Sequence, residues 1–246
     1  MTDPLGPLLE LPGVAEAVQA ARDNVQSVHR HPANRRGWPT TAAEASVRAA
    51  RSSAYLDGGN PEIPDDGEVV DPILAGALRV AEAIGPLLPV WQRAPLQALA
   101  RLHLLAAADL VDAAEHDRLG RPRSARGVSG RLDLLANLVT GATSAPGPVL
   151  AAVVHGELLT LAPFGVADGV VARAAARLTM IGTGLDPKGL TVPEVAFLRR
   201  PERYREAADG FASGQPEGVR DWVLLCCDAF EVGAREATSI ADSANA

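Results

Sequence analysis

The stretch that decides the fold is "LAPFGVADGVVARAAARL", residues 161 to 178. An apolar segment ends there in Pro-Phe-Gly, an Asp-Gly turn follows, and the chain continues with helical periodicity through Arg173 and Arg177. Small residues let a ligand approach the backbone, and the free N–H groups at the start of a helix attract anions. The pattern therefore predicts a helix, an anion-binding loop and a second helix.

The rest of the chain shows the same helical pattern. Apolar residues recur at spacings of three and four, and strict alternation is scarce. Gly, Pro and charged residues concentrate in residues 57 to 72 and 117 to 130, which are predicted to be surface loops. The sequence therefore predicts an all-α fold, with helices over residues 13–30, 41–56, 72–86, 93–116, 128–141, 147–161, 169–181, 201–213 and 217–240 and a short turn at Thr191-Val192-Pro193-Glu194.

Composition excludes several classes of function. With 47% hydrophobic residues, the 246-residue chain can bury a substantial core. A net charge of −7 and dispersed basic residues argue against nucleic-acid binding, which needs a clustered basic face. Charged residues interrupt the most apolar segments, and the N-terminus lacks the pattern of a signal peptide. We therefore expect a cytoplasmic protein that contacts neither nucleic acid nor membrane.

Cysteine and histidine spacing does not indicate a metal site. Cys226 and Cys227 are adjacent, which suits neither a zinc pair nor a disulfide, so both are predicted to lie in the core. His29 and His31 have no third ligand nearby in the sequence and are predicted to lie in a solvated turn. No metal is predicted.

Residues 153 to 178, "VVHGELLTLAPFGVADGVVARAAARL", resemble the helix, loop and helix of Fic (Fido) domains, in particular Fic-like proteins of actinobacterial type. That family transfers a nucleotide monophosphate, usually AMP from ATP, to a hydroxyl side chain of a target protein. Its motif reads H-P-F-x-[D/E]-G-N-G-R-x-x-R, and Pro163, Phe164, Gly169 and Arg173 match it. The resemblance implies an all-α, Fic-like helical bundle over residues 41–246, preceded by an N-terminal helical extension over residues 1–40.

The residues that differ from the motif are those that bind metal or phosphate or take part in catalysis in the family. Ala162 stands where the family has the histidine that takes the proton of the target hydroxyl, and Val166 replaces the acidic residue that holds Mg²⁺. Val170 replaces the first arginine, Ala167 replaces the first glycine, and Asp168 puts a carboxylate where an asparagine should face phosphate. The resemblance thus implies a degenerate site that has lost its ligands for ATP and Mg²⁺, with no cofactor and no catalytic residue.

Upstream of the motif, "RSSAYLDGG" contains Ser53-x-x-x-Asp57-Gly58, which is similar to the family's inhibitory motif [S/T]-x-x-x-E-[G/N]. The resemblance implies an ion pair between Asp57 and Arg173 that keeps the preceding helix docked over the pocket. The alternative is that Arg173 is an exposed charge on an alanine-rich helix and Asp57 a turn former before Gly58.

Other candidate polar residues lie near the motif. His155 is seven residues before Ala162 and is predicted to lie in the helical core, bonded to a neighbour. Arg121, Arg123 and Arg126 fall near where the family's target-binding flap precedes the motif. They could bind an acidic partner or a phosphate, but a solvated loop is the favoured interpretation.

Three functional hypotheses follow. The favoured one is a catalytically degenerate Fic-like protein that binds a protein partner, or a nucleotide held differently, with a homodimer left open. The second is an active adenylyltransferase or other phosphate-transferring enzyme with a rebuilt site, in which Asp168, His155 and arginines converge. The third is an unrelated helical interaction module, in which residues 147 to 181 do not form a helix, loop and helix.

Overall fold

The computed structural model of the chain describes residues 3–244, and every regular element in that range is helical. The prediction of an all-α fold is therefore confirmed. Short 3-10 helices cover Gly6–Glu10 and Ala113–Arg118, and a wide turn covers Leu138–Ala142. The α-helices are α1 (Val14–Arg30), α2 (Pro32–Arg36), α3 (Trp38–Leu56), α4 (Pro72–Trp91), α5 (Pro95–Ala107), α6 (Val128–Asn137), α7 (Gly147–Leu161), α8 (Asp168–Gly182), α9 (Glu194–Arg199), α10 (Pro201–Ala212) and α11 (Pro216–Ser243).

The centre of the fold is the pair α7 and α8, which pack against each other along their lengths. Most residues of both helices are buried, and α7 is apolar at most positions apart from Glu157, which pairs with Arg131, as expected for a helix with neighbours on most sides. The alanines of α8 let adjacent helices approach closely. The loop that joins the two helices, residues 162 to 167, is thus held between two of the most deeply buried elements.

The remaining helices surround this pair. α4 and α5 contact α8 on one side, and α10 and α11 contact α7 on the other. α3 lies across α4, α8 and α9, which brings its C-terminal end to the start of α8. The fully buried rings of Trp91 and Trp222 anchor the core at α4 and α11.

Five of the predicted helix boundaries are wrong by three residues or more, and the structure explains two of them. The helix predicted over residues 128–141 ends at Asn137, and the one predicted over 217–240 ends at Ser243. The helix predicted over residues 93–116 ends at Ala107, because Arg79 of α4 donates to the Leu105 carbonyl and pairs with Asp109, which turns the chain away. The helix predicted over 72–86 continues through two prolines to Trp91, since both prolines lie on its exposed face. α3 starts at Trp38 rather than at residue 41, and α2 and α9 were not predicted as helices.

α4 is the one helix of the described range with the length and apolar character needed to cross a bilayer. In this fold it contacts α3, α5 and α8, and its buried side belongs to the common core. Packing between helices is therefore sufficient to account for its apolar sequence.

The N-terminal helices are attached to the rest of the fold by packing and by two histidines. α1 lies along α11, and its apolar side joins the common core. His29 lies in α1, 2.9 Å from the buried Asp186, so the prediction of a solvated His-x-His turn is wrong for His29. His31 lies in the bend after α1, 3.1 Å from the exposed Asp242. The division into residues 1–40 and 41–246 stays a prediction, and its boundary falls inside α3.

Candidate functional site

The motif loop has a fixed shape that depends on Asp168. α7 ends at Leu161, Ala162 and Ala167 both take left-handed backbone conformations, and α8 begins at Asp168. The two carboxylate oxygens of Asp168 accept hydrogen bonds from the backbone N–H groups of Phe164 and Gly165, at 2.9 and 2.6 Å. Asp168 therefore folds the loop back on itself, and burial raises the pKa of its carboxyl.

The anion-binding end of α8 is occupied by a carboxylate of the same chain. Oδ2 of Asp57 accepts a hydrogen bond from the Val170 N–H at 3.1 Å, and Oδ1 pairs with Nη2 of Arg173 at 2.6 Å. Gly169 makes this approach possible, because a β-carbon there would lie only 2.6 Å from Asp57 Oδ2. The site thus binds an anion as its sequence predicts, and that anion is the side chain of Asp57.

Arg173 is the buried centre of a polar cluster. Its Nε donates to Ser53 Oγ at 2.8 Å and its Nη2 to the Ser53 carbonyl at 3.0 Å, while Nη1 reaches the Tyr204 hydroxyl at 3.4 Å. Burial lowers the pKa of Arg173, but the charge of Asp57 and the contact with Tyr204 more than offset this, so its pKa is raised. With its side chain 2% exposed, Arg173 is not a surface charge, and the predicted ion pair is present.

His155 extends the same cluster into the core. Its Nε2 is hydrogen-bonded to the Tyr204 hydroxyl at 2.7 Å, and its ring packs edge-on against Phe197 and Trp222. Burial, with a contribution from the charge of Arg173, lowers the pKa of His155 to about 3. His155 is therefore a neutral core residue, as predicted, and its ring is not available as a base at the loop.

At three motif positions the resemblance implies a general base, a metal ligand and an arginine, and the side chains present here cannot fill these roles. Ala162 and Val166 have no side-chain nitrogen or oxygen, and the Val170 side chain is buried in the core. The nearby carboxylates are already engaged, Asp168 by loop amides and Asp57 by Arg173. The residues at this site therefore do not fit Mg²⁺, which needs free oxygen ligands in near-octahedral geometry.

Residues 119 to 127, the strap, lie across the motif loop. The Arg123 side chain donates to the carbonyls of Leu161 and Ala162, at 2.6 and 2.8 Å, and its backbone N–H donates to the Pro163 carbonyl at 2.8 Å. These bonds satisfy carbonyls that the end of α7 leaves without helical partners. The interpretation of this segment as only a solvated loop is therefore wrong for Arg123.

We expect Arg123→Ala to loosen the strap and to destabilise the protein by about 1 kcal/mol, because two carbonyls at the end of α7 lose their donor. The measurements are urea unfolding and hydrogen exchange of the strap amides. Arg126→Ala is the matched control, since this arginine is exposed on the same strap. Equal effects of the two changes would mean that the Arg123 bonds contribute nothing.

Two residues lie close to the site although nothing in the sequence indicates that they belong to it. The His103 ring stacks on Phe164, with ring centroids 4.1 Å apart, and its Nδ1 accepts a hydrogen bond from the Gly120 N–H in the strap at 2.9 Å. Glu194 of α9 is buried near Arg173 and Arg177. Both come from segments distant in the chain, so spacing within the motif could not reveal them.

The fold of the chain is similar to a solved structure. The crystal structure of a Fic family protein from Desulfovibrio desulfuricans G20 matches with a TM-score of 0.74 over 93% of this chain and 74% of that chain, at 20% sequence identity. No family model and no curated protein sequence matches the chain. At this identity the similarity concerns the fold, and the chain therefore has the all-α fold of a Fic family protein.

Proposed function

We propose that the chain is a Fic-fold protein with a degenerate site, which does not transfer AMP and acts by binding a protein partner. The observation that carries this proposal is the position of the Asp57 carboxylate, which lies on the Val170 N–H and on Arg173. A phosphate bound to the N-terminal end of α8 would have to take the same place. The site is thus closed by the chain itself.

The residues at the reacting positions support the loss of chemistry. A positioned general base contributes about 10² to 10⁴ in rate, and Ala162 offers none. Val166 offers no oxygen to a metal ion that would neutralise phosphate charge. The alternative, an active enzyme with a rebuilt site, requires Asp168 and His155 to converge, yet one folds the loop and the other is bonded to Tyr204 in the core.

Charge argues against nucleic acid as the partner. The net charge of −7 disfavours nucleic acid, whose binding depends on neutralising phosphates. A nucleotide held outside the motif loop and a homodimer are the other ligands that this proposal leaves open. A location in the cytoplasm, away from membranes, is the environment that we expect for this role.

The test is transfer from α-labelled ATP, with Mg²⁺, by the natural chain and by Asp57→Gly. We expect no labelled protein with either chain, with or without a mixture of soluble proteins as targets. We also expect no heat of ATP binding by the natural chain at millimolar nucleotide, because Asp57 occupies the anion site.

Comparing the two chains distinguishes a site that Asp57 blocks from a site that lacks catalytic residues. Label in Asp57→Gly but not in the natural chain would show an enzyme inhibited by Asp57, and label in both would show an active one. Either result would contradict the proposal. An absence of label from both chains, with ATP binding gained only by Asp57→Gly, would support it.

A further inference from the structure

The strap, residues 119 to 127, is held in place by few contacts. Gly120 and Gly127 take left-handed backbone conformations near its two ends, with φ of 76° and 85°. Every residue from Arg121 to Gly127 is exposed, so the strap buries little apolar surface of its own. Its position therefore depends on hydrogen bonds, which Arg123 makes in the middle and Gly120 makes at the first turn.

His103 of α5 attaches the N-terminal end of the strap. Its Nδ1 accepts a hydrogen bond from the Gly120 N–H at 2.9 Å, and its ring, only 4% exposed, stacks on Phe164 of the motif loop. The strap lies directly against α5 at this point, since a β-carbon on Gly120 would lie 2.9 Å from the Ala100 carbonyl oxygen. His103 thus contacts both the strap and the loop that the strap covers.

The bond from Gly120 requires a neutral His103. An imidazole nitrogen accepts a hydrogen bond only when it carries no proton, so the proton of the neutral ring is on Nε2. An imidazolium ring donates at both nitrogens and accepts at neither. Protonation of His103 would therefore place two hydrogens between Nδ1 and the Gly120 nitrogen, and the bond to the strap would break.

The charged groups that face His103 do not bind its ring. Side chains of both signs line the cavity of about 460 Å³ beside it, namely Glu115, Asp117, Arg118, Arg121 and Arg123. On the helices packed against α5, Arg79 of α4 pairs with Asp109, Asp168 of α8 is bonded to loop amides, and Asp133 of α6 lies on the other side of the strap. Within the described range, Nδ1 is bonded to Gly120 and Nε2 has no partner. Burial therefore dominates and lowers the pKa of His103 to about 4, although the Val166 backbone opposes this.

The position of the strap is thereby linked to pH. Water reaches the ring when the strap moves away, and an exposed histidine has a pKa of about 6.5. The open form therefore binds a proton at a higher pH than the closed form, in which the pKa is about 4. The closed strap is fully favoured above pH 6.5, and the ratio of open to closed forms rises about thirtyfold between pH 7.5 and 5.

We infer that His103 is an acid-sensitive latch, which releases the strap from the motif loop when the ring takes up a proton. Pro122, Arg123 and Ser124 of the strap separate the cavity beside His103 from a second one of about 380 Å³, and Phe164 lines both. Release of the strap joins these two cavities and uncovers the motif loop. The latch does not depend on the proposed function, because neither AMP transfer nor binding of a partner is needed to operate it.

The test is NMR spectroscopy of the natural chain at pH 7.5 and 5. Ring shifts of ¹⁵N-labelled histidine report which nitrogen carries the proton, and we expect Nδ1 of His103 to be unprotonated at pH 7.5. Amide hydrogen exchange, corrected for the intrinsic effect of pH on exchange, reports the strap. We expect protection of the Gly120 and Arg123 amides to fall by about tenfold or more at pH 5 and to stay below that of the core amides of α7 and α8 at both pH values.

Two substitutions identify the group responsible. His103→Gln keeps an acceptor for the Gly120 N–H but does not titrate, so the fall in strap protection should disappear. His155→Gln removes a second buried histidine and should leave the fall unchanged. Thermal unfolding identifies which variants are folded. The inference would be overturned by a proton on Nδ1 at pH 7.5, by strap protection that is independent of pH or equal to that of the core, or by a fall that persists in folded His103→Gln.

Discussion

Asp57→Ala is expected to lower the free energy of unfolding by about 2 to 3 kcal/mol and to create a binding site for phosphate. The change leaves Arg173, with its side chain 2% exposed, without an opposite charge. Removing one partner of a buried ion pair typically costs about 3 to 5 kcal/mol, and we expect less here because the Asp57 side chain is 21% exposed. Urea unfolding measures this loss.

Binding of phosphate is the second half of this prediction. In Asp57→Ala the Val170 N–H has no acceptor and Nη2 of Arg173 keeps only the Ser53 carbonyl, which is a favourable arrangement for an oxyanion at the start of α8. We expect millimolar inorganic phosphate to raise the melting temperature of Asp57→Ala but not that of the natural chain. Sodium chloride at equal ionic strength is the control. An equal response of both chains to phosphate would show that Asp57 does not close the site.

A change at Gly169 tests the same contact independently. Alanine normally stabilises a helix by about 1 kcal/mol relative to glycine. At Gly169, however, the added methyl group would collide with the Asp57 carboxylate, so Gly169→Ala should destabilise the natural chain. In the Asp57→Ala background the same change should become neutral or stabilising. Additive effects would mean that the carboxylate does not lie against Gly169 in solution.

The helical architecture was predictable because its signals are local. Apolar periodicity and the Pro-Phe-Gly to Asp-Gly turn lie within continuous segments, and α7, the loop and α8 form in the predicted order. Boundaries were less predictable where a distant side chain ends the helix. Arg79 of α4 determines where α5 stops, and nothing within residues 93 to 116 indicates this.

Contacts between distant residues of the site were predictable only where both residues match a known motif. The paired positions of Asp57 and Arg173 came from resemblance to two motifs, and their contact is present in the structure. The role of Asp168 was interpreted differently, as a charge facing phosphate, because its hydrogen bonds to the Phe164 and Gly165 amides depend on the shape of the loop. Glu194 and His103 enter through tertiary packing, which a single sequence does not reveal.

The second large effect is expected in the dependence of the free energy of unfolding on pH. The pKa of His155 is about 3 in the folded protein, against 6.5 for an unperturbed histidine. Below pH 6.5 the unfolded chain therefore binds a proton that the folded chain does not. The contribution of neutral His155 to stability is complete above pH 6.5 and is lost as pH falls toward 3, at about 1.4 kcal/mol per pH unit.

Substitutions distinguish the contribution of His155 to the pH dependence of stability from the contributions of other titrating groups. Asp168 and Glu194, whose pKa values burial raises, act in the opposite direction, but they are common to all the chains compared. Burial also lowers the pKa of His103, to about 4, so this histidine adds a similar loss between pH 6.5 and 4. His116 is exposed and provides the control position.

We expect His155→Gln and His103→Gln each to reduce the slope of unfolding free energy against pH by nearly one proton between pH 6 and 5, and His116→Gln to leave it unchanged. The measurement is urea unfolding at a series of pH values. A slope for His155→Gln equal to that of the natural chain would mean that His155 takes up a proton while the protein is folded. The bond to Tyr204 would then join a charged ring to the cluster around Arg173, and Asp57 would have to balance two positive charges rather than one.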